Sequence, residues 1–209
     1  MSDAENRVQW VYSSPDNEEL RRRYDVWARE YDGDLERDFG WQGPSLAVDY
    51  LARHVASTAA ILDAGAGTGL VGVELQKRGY ENLVGMDMSE GMLDEARKKR
   101  VYRQLDQMIL GEPLAYRDGE FDAVISVGVL TLGHAPASSL DELVRITRAG
   151  GYIVFSLRPD IYMEGGFMQK QTSLEDSGAW KLVEVSPKVK ILPKGEPEVE
   201  HQVWVYEVI

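Results

Sequence analysis

Residues 61–69 read Ile-Leu-Asp-Ala-Gly-Ala-Gly-Thr-Gly, an apolar run that ends in an acid and three alternating glycines. At a strand-to-helix turn such glycines let a ligand approach the backbone closely and accept backbone angles that other residues resist. Taken alone, the pattern also fits a plain tight turn. One strand–helix unit later the chain reads Gly85-Met86-Asp87-Met88. An acid at the end of the second strand suits a bidentate hydrogen bond to the two hydroxyls of a ribose. Asp87 could instead cap the next helix, although Ser89 is better placed for that. Loop and acid together point to a nucleoside site.

The spacing also discriminates among nucleosides. A pyrophosphate-binding loop wants its third glycine one place later, where Leu70 stands, and no Gly-Lys-Ser/Thr follows. S-adenosylmethionine carries no phosphate, and its positive sulfonium suits acidic and aromatic surroundings. Asp63 and the aromatic series Tyr24, Trp27 and Tyr31 could supply them; the aromatics could equally be core. Transfer of a methyl group from a sulfonium needs mainly alignment and exclusion of water. An oxygen or protonated amine acceptor must also lose a proton, which calls for a base. The loop Gly128-Val129-Leu130-Thr131-Leu132-Gly133-His134 follows the fourth strand, where ligands of such folds bind, so His134 is the candidate catalytic base. His54 closes a helix and His201 opens a strand, which are structural positions.

These residues need a scaffold, and the pattern supplies one. Residues 1–17 are polar and read as a mobile arm. From Asn17 apolar and aromatic residues recur every three or four positions, giving a helix ended by Gly33; a second runs from Pro44 to His54. Strands follow at 60–63, 82–87, 107–110 (the weakest), 121–127 and 152–157, alternating with helices at 70–78, 89–99 and 138–148. Such alternation implies right-handed crossovers and a parallel sheet covered on both faces. The segments 180–190 and 201–209 alternate apolar with polar residues around a Pro/Gly-rich turn, which predicts an antiparallel hairpin. The expected fold is therefore α/β: a Rossmann-like, doubly wound, mostly parallel seven-stranded sheet ending in a hairpin. It forms one domain over 1–209, with an arm and helical cap at 1–56 and the core at 57–209.

The 209 residues suit one domain, and the net charge of −12 repels polyanions, so nucleic acid is an unlikely partner. The basic runs Arg21-Arg22-Arg23 and Arg97-Lys98-Lys99-Arg100 interleave with acids and read as solvated helix faces. No cysteine is present, which removes thiolate chemistry and fits a cytoplasmic protein. No leader, membrane span or metal-ligand cluster is evident. The segment 159–171 holds Tyr162, Met163, Phe167 and Met168; it is either an acceptor lid or a helix packed on the sheet.

Taken in order, Leu62-Asp63-x-Gly65-x-Gly67-x-Gly69, Gly85-x-Asp87-x-Ser89-x-Gly91-Met92-Leu93, Gly119-x-Phe121-Asp122-Ala123-Val124 and Leu140-x-Glu142-Leu143 with Gly150-Gly151 resemble the class I S-adenosylmethionine-dependent methyltransferases. More narrowly, Tyr24-Asp25-x-Trp27-Ala28-x-x-Tyr31-Asp32, Leu110-Gly111-Glu112-Pro113-Leu114 and Val127-Gly128-Val129-Leu130 resemble the methyltransferase-like proteins named after the Williams–Beuren syndrome region. The resemblance implies S-adenosyl-L-methionine as cofactor and S-adenosyl-L-homocysteine as product. It places Gly65 and Gly67 around the methionine part, Asp63 under that loop near the ammonium, Asp87 on the ribose and Met88 on the adenine. Tyr24 and Tyr31 would close over the methionine end, and Val127 would border the cofactor. The usual acid beside the adenine amino group is missing, which leaves Gly111 and Glu112, or the local backbone, for that contact. The expected acceptor is a small molecule bound by a monomer or homodimer; a peptide acceptor or a non-catalytic cofactor-binding role are the alternatives.

Overall fold

The computed structural model describes residues 3–131 and 133–209, with side chains from Arg7 onward. Seven strands form one sheet: β1 (Ile61–Ala64), β2 (Leu83–Asp87), β3 (Gln104–Gln107), β4 (Phe121–Ser126), β5 (Thr147–Leu157), β6 (Trp180–Val185) and β7 (Gln202–Val208). Their spatial order is β3-β2-β1-β4-β5-β7-β6. The first five run parallel, and β7 lies antiparallel between β5 and β6. The mostly parallel sheet with a terminal hairpin is thus the one the sequence predicts. Chain order reverses between β1 and its neighbours β2 and β4, which opens a crevice at their carboxyl ends.

Both faces of the sheet are covered, so the central strands carry apolar residues at successive positions. One core joins Leu62, Val84, Val124 and Phe155 to α6 (Ser139–Ile146) and α8 (Phe167–Asp176). The other joins Ile61, Leu83, Ile125 and Val205 to α3 (Gly43–Leu51) and α4 (Leu70–Lys77). The remaining crossover, α5 (Glu90–Lys99), starts at Ser89, whose hydroxyl accepts a hydrogen bond from the Met92 N–H at 3.1 Å. That N-cap leaves the Asp87 carboxylate for other work.

The amino-terminal region differs from the sequence reading. The expected arm contains α1 (Asp3–Tyr12), whose Val8 and Val11 pack on Leu20 and Trp27 of α2 (Asn17–Asp34). Arg7 fastens it by pairing with the buried Asp34 at 2.8 Å, and a polar composition hides so few contacts. Nor does Gly33 end α2. The helix runs to Asp34, continues as a π-helical turn at Leu35–Phe39, and stops at Gly40, which is left-handed with φ +62°.

Two further differences bear on the site. β3 ends at Gln107 rather than beginning there: it pairs Gln104 to Gln107 with Val84 to Asp87 at the sheet edge, where an apolar face is not required. The apolar run Met108-Ile109-Leu110 comes after it and is free to line a cavity. The 159–171 segment forms α7 (Pro159–Glu164) and the start of α8, with Ile161 and Phe167 buried in the core. The two cavities described below are walled by other residues, so this segment is packing and not a lid.

Candidate active site

A cavity of about 800 Å³, part of it open to solvent, lies over the carboxyl ends of β1, β2 and β4. Its floor is the turn after β1. Gly65 there has φ +85°, and a Cβ on it would sit 2.4 Å from Cγ2 of Val129, so only bare backbone fits. The Gly65 and Ala66 N–H groups donate to the Met86 carbonyl, which ties the turn to the next strand. The Gly67 N–H donates to Oδ2 of Asp87 at 2.8 Å, and the Ser89 N–H donates to Oδ1 at 2.9 Å. Each carboxylate oxygen therefore keeps a lone pair beyond its backbone bond. Burial pushes the Asp87 carboxyl upward, against backbone donors at Ser89, Gly67 and Met88 that favour the charged form.

Asp63 is almost fully buried beneath this turn. Its Oδ2 accepts the Tyr102 hydroxyl at 2.5 Å, and its Oδ1 has no hydrogen-bond partner. Burial pushes its carboxyl up to about 7, in spite of the Tyr102 hydrogen bond. Tyr102 in turn accepts the Gly72 N–H at 3.1 Å, so the turn, α4 and the carboxyl form one unit. Sequence spacing does not single out Tyr102, because the pair meets only in three dimensions.

The roof comes from α2. Tyr24 and Tyr31 project into the cavity, and the Tyr24 hydroxyl lies 2.8 Å from Nε2 of His134. Burial keeps the phenols of both tyrosines above their ordinary range. Two clasps hold this roof. Oδ1 of Asp25 accepts the Ser89 hydroxyl at 2.6 Å and the Gly91 N–H at 2.9 Å. Asp32 accepts the Thr68 hydroxyl and pairs with Lys99 at 2.6 Å, and Lys99 also donates to the Thr68 carbonyl.

Among the residues singled out from sequence, the structure brings Tyr24, Tyr31, Gly65, Gly67, Asp87, Met88, Val127 and His134 to one cavity. Asp63 lies below it. Gly111 and Glu112 do not belong to it: Gly111 turns the chain against Pro136, and both residues are exposed. The wall they were expected to form is made by Met108, Ile109 and Leu110, with Met86 and Met92 beside them. The basic runs are largely tied to carboxylates, Arg22 and Arg23 to Glu19, and Arg97 to Glu90 and Asp94. Among the described residues no helix is long and apolar enough to cross a membrane.

A second cavity of about 570 Å³ adjoins the first, and Tyr24, Tyr31, Trp41 and Gly128 wall both. It is enclosed by α1, α2, the π-helical turn and residues 191–201. Trp27 faces this second cavity rather than the first, with its indole N–H on Asp34 at 2.8 Å.

Comparison with known proteins agrees with this geometry. Residues 62–155 match a family model described as a methyltransferase domain. The chain is 35% identical over 182 residues to human methyltransferase-like protein 27, covering 84% of the chain and 74% of the relative. It is 33% identical over 117 residues to a ubiquinone biosynthesis O-methyltransferase of Alkalilimnicola ehrlichii, covering 53% of the chain and 47% of the relative. A solved TehB-like S-adenosylmethionine-dependent methyltransferase of Corynebacterium glutamicum superposes with a TM-score of 0.65 at 20% identity, over 90% of this chain and 99% of that one; at this identity it shows the shared fold. With the glycine turn, the acid after β2 and this relationship over most of both chains, the protein belongs to the class I S-adenosylmethionine-dependent methyltransferases.

Proposed function

We propose that the chain methylates a small molecule held between its helical cap and the sheet. The observation that carries this reading is the second cavity. It lies behind α1 and α2, shares the wall residues Tyr24, Tyr31, Trp41 and Gly128 with the first, and so gives an acceptor a place beside the cofactor cavity. A macromolecular acceptor would have to thread a residue or base into it.

The first cavity fits the cofactor. Bare backbone at Gly65 and Gly67 leaves room for the amino-acid tail, and a side chain at Gly65 would be forced into Val129. The spare lone pairs of Asp87 accept the ribose hydroxyls. Met88, Met108, Ile109 and Leu110 would hold the adenine between apolar surfaces. Val127 closes the side next to β4. Asp63, whose carboxyl burial keeps protonated up to about pH 7, would ionise under the turn as the ammonium settles across it. Tyr24 and Tyr31 cover the tail and exclude water.

The cofactor supplies a methyl group activated by a positive sulfur. The protein's part is to aim the acceptor atom in line with it at the passage walled by Tyr24, Tyr31, Trp41 and Gly128. A hydroxyl or ammonium acceptor must shed a proton as its bond to the methyl carbon forms. Tyr24 faces both cavities and touches His134. It takes that proton on its oxygen while handing its own to Nε2 of His134, so Tyr24 need not become a phenolate and His134 carries the proton.

Two measurements test the proposal. Calorimetry with S-adenosylhomocysteine should show saturable binding. Transfer of labelled methyl to a panel of amines, phenols, thiols and carboxylic acids should find a turned-over small acceptor. Cofactor bound with no member of the panel methylated would overturn the small-molecule reading.

A further inference from the structure

The far end of the second cavity is chemically distinct from its walls. Most of the lining is apolar or aromatic, including Val11, Trp27, Leu35, Phe39 and Trp41. At the end formed by residues 191–201 Glu196 and His201 break this surface, and the Tyr12 hydroxyl of α1 lies within electrostatic reach of Glu196. His201 is 8% exposed, and its Nδ1 is buried without a hydrogen-bond partner. The sequence reading made His201 a strand-opening structural residue. Its backbone does fill that role, exchanging hydrogen bonds with Val189 at 2.8 and 2.9 Å, and the residue also lines the cavity.

Glu196 has neither an ion pair nor a side-chain hydrogen bond among the described residues. The nearby Arg158 acts on it electrostatically, yet that guanidinium is already bidentate on Asp160 at 2.6 and 3.0 Å. Burial pushes the Glu196 carboxyl upward and pulls His201 down to about 4, so the imidazole is neutral near pH 7. The corner thus offers one carboxylate without an ion pair, with Arg158 at a distance and engaged by Asp160, and one neutral imidazole. Both are held on a firm wall: Gln42 donates to the Ile191 carbonyl at 2.8 Å, and Lys194 donates to the Phe39 carbonyl at 3.1 Å.

We infer that this corner selects the acceptor's far end, and that it takes a cationic amine carried on an aryl or other apolar body. The ammonium pairs with Glu196 beside the neutral ring of His201, the apolar body lies along Trp27, Phe39 and Trp41, and the opposite end reaches the methyl-transfer passage at Gly128. A carboxylate in the same place would set a second anion beside Glu196, and a neutral alcohol would leave the carboxylate uncompensated. The inference rests on the two-cavity reading proposed above and specifies its substrate class.

Binding of 2-phenylethylamine, 2-phenylethanol and phenylacetate, measured by calorimetry with and without S-adenosylhomocysteine, tests it. The amine should bind roughly tenfold or more tighter than the alcohol, as for hydrogen bonds to a charged group, and phenylacetate should bind weakest. Glu196→Gln should erase the amine's advantage while leaving S-adenosylhomocysteine affinity unchanged. Leu192→Trp, which fills the cavity, should weaken all three probes. Melting curves establish that each variant is folded. Phenylacetate binding best, or an amine advantage that survives Glu196→Gln, would overturn the inference. Absence of S-adenosylhomocysteine binding would instead overturn the cofactor site, and the probe preferences measured without it would still decide the corner.

Discussion

The hydroxyl of Tyr24 and Nε2 of His134 stand 2.8 Å apart, although 110 positions separate them in the chain. One belongs to the helical cap and the other to the loop after β4. Their contact therefore joins cap to core over the cavity, at the point where the proposed proton path runs. Under the proposed relay, cap and core must come together before transfer, because with α2 displaced His134 loses its link to the acceptor.

Tyr24→Phe should lower the rate of methyl transfer by roughly 100-fold, the lower end for loss of acid–base help, while S-adenosylhomocysteine affinity changes little. His134→Gln should do the same. If the two act as a unit, the double variant loses no more than either single variant. Initial rates and calorimetry on the three proteins check this; multiplicative losses would show that the residues act separately.

Asp87→Ala should weaken S-adenosylhomocysteine binding by roughly 1.5–3 kcal/mol, the range for hydrogen bonds to a charged group. It also deprives the Gly67 and Ser89 N–H groups of their acceptor, so some loss of thermal stability should accompany it. Asp87→Asn separates the two effects. It keeps an oxygen for one backbone donor but offers a ribose only one acceptor, so stability should recover more than affinity. Equal affinity in all three proteins would remove the ribose role.

Much of this site is legible in the sequence because its parts are local. The turn at 65–69 and the acid at 87 each follow a strand directly, and strand–helix alternation fixes which sheet edge they share. What the sequence hides are meetings between distant residues. Tyr102 reaches Asp63, Asp25 reaches Ser89 and Gly91, and His201 lines a cavity built partly by α1. None of these has a periodic signal. Glu112 was singled out by position in a motif, whereas the turn at Gly111 carries it to the surface. The helix α1 escaped notice because few apolar contacts and one buried ion pair hold it.

The clasp between Lys99, Asp32 and Thr68 should set how long the cofactor stays bound. Lys99→Met removes both of its hydrogen bonds while keeping a straight, nearly as long apolar side chain. Because Asp32 is partly exposed, the pair is worth about 1 kcal/mol, and dissociation of S-adenosylhomocysteine should quicken by roughly fivefold. Stopped-flow tryptophan fluorescence reads this rate, since Trp27 and Trp41 lie in the cap region. An unchanged rate in a folded variant would mean that α2 is held by the Asp25 clasp alone.

Asp63 should make both stability and cofactor binding depend on pH. Burial raises its carboxyl to about 7 in the folded chain, whereas an unfolded aspartate titrates near 3.9. Between those values the folded protein holds a proton that the unfolded chain has released. Stability must therefore fall as pH rises through the window, by at most about 4 kcal/mol. Asp63→Asn, which cannot ionise but keeps an acceptor for Tyr102, should flatten that decline; urea denaturation from pH 4 to pH 8 on both proteins measures it. The same carboxyl is proposed to face the cofactor's ammonium, and a cation nearby favours its charged form. Binding S-adenosylhomocysteine near pH 6.5 (about half a unit below the titration) should then release protons to the buffer. Calorimetry in buffers of different ionisation enthalpy counts them. Proton release that persists in Asp63→Asn would assign the titration to another group and detach Asp63 from the ammonium.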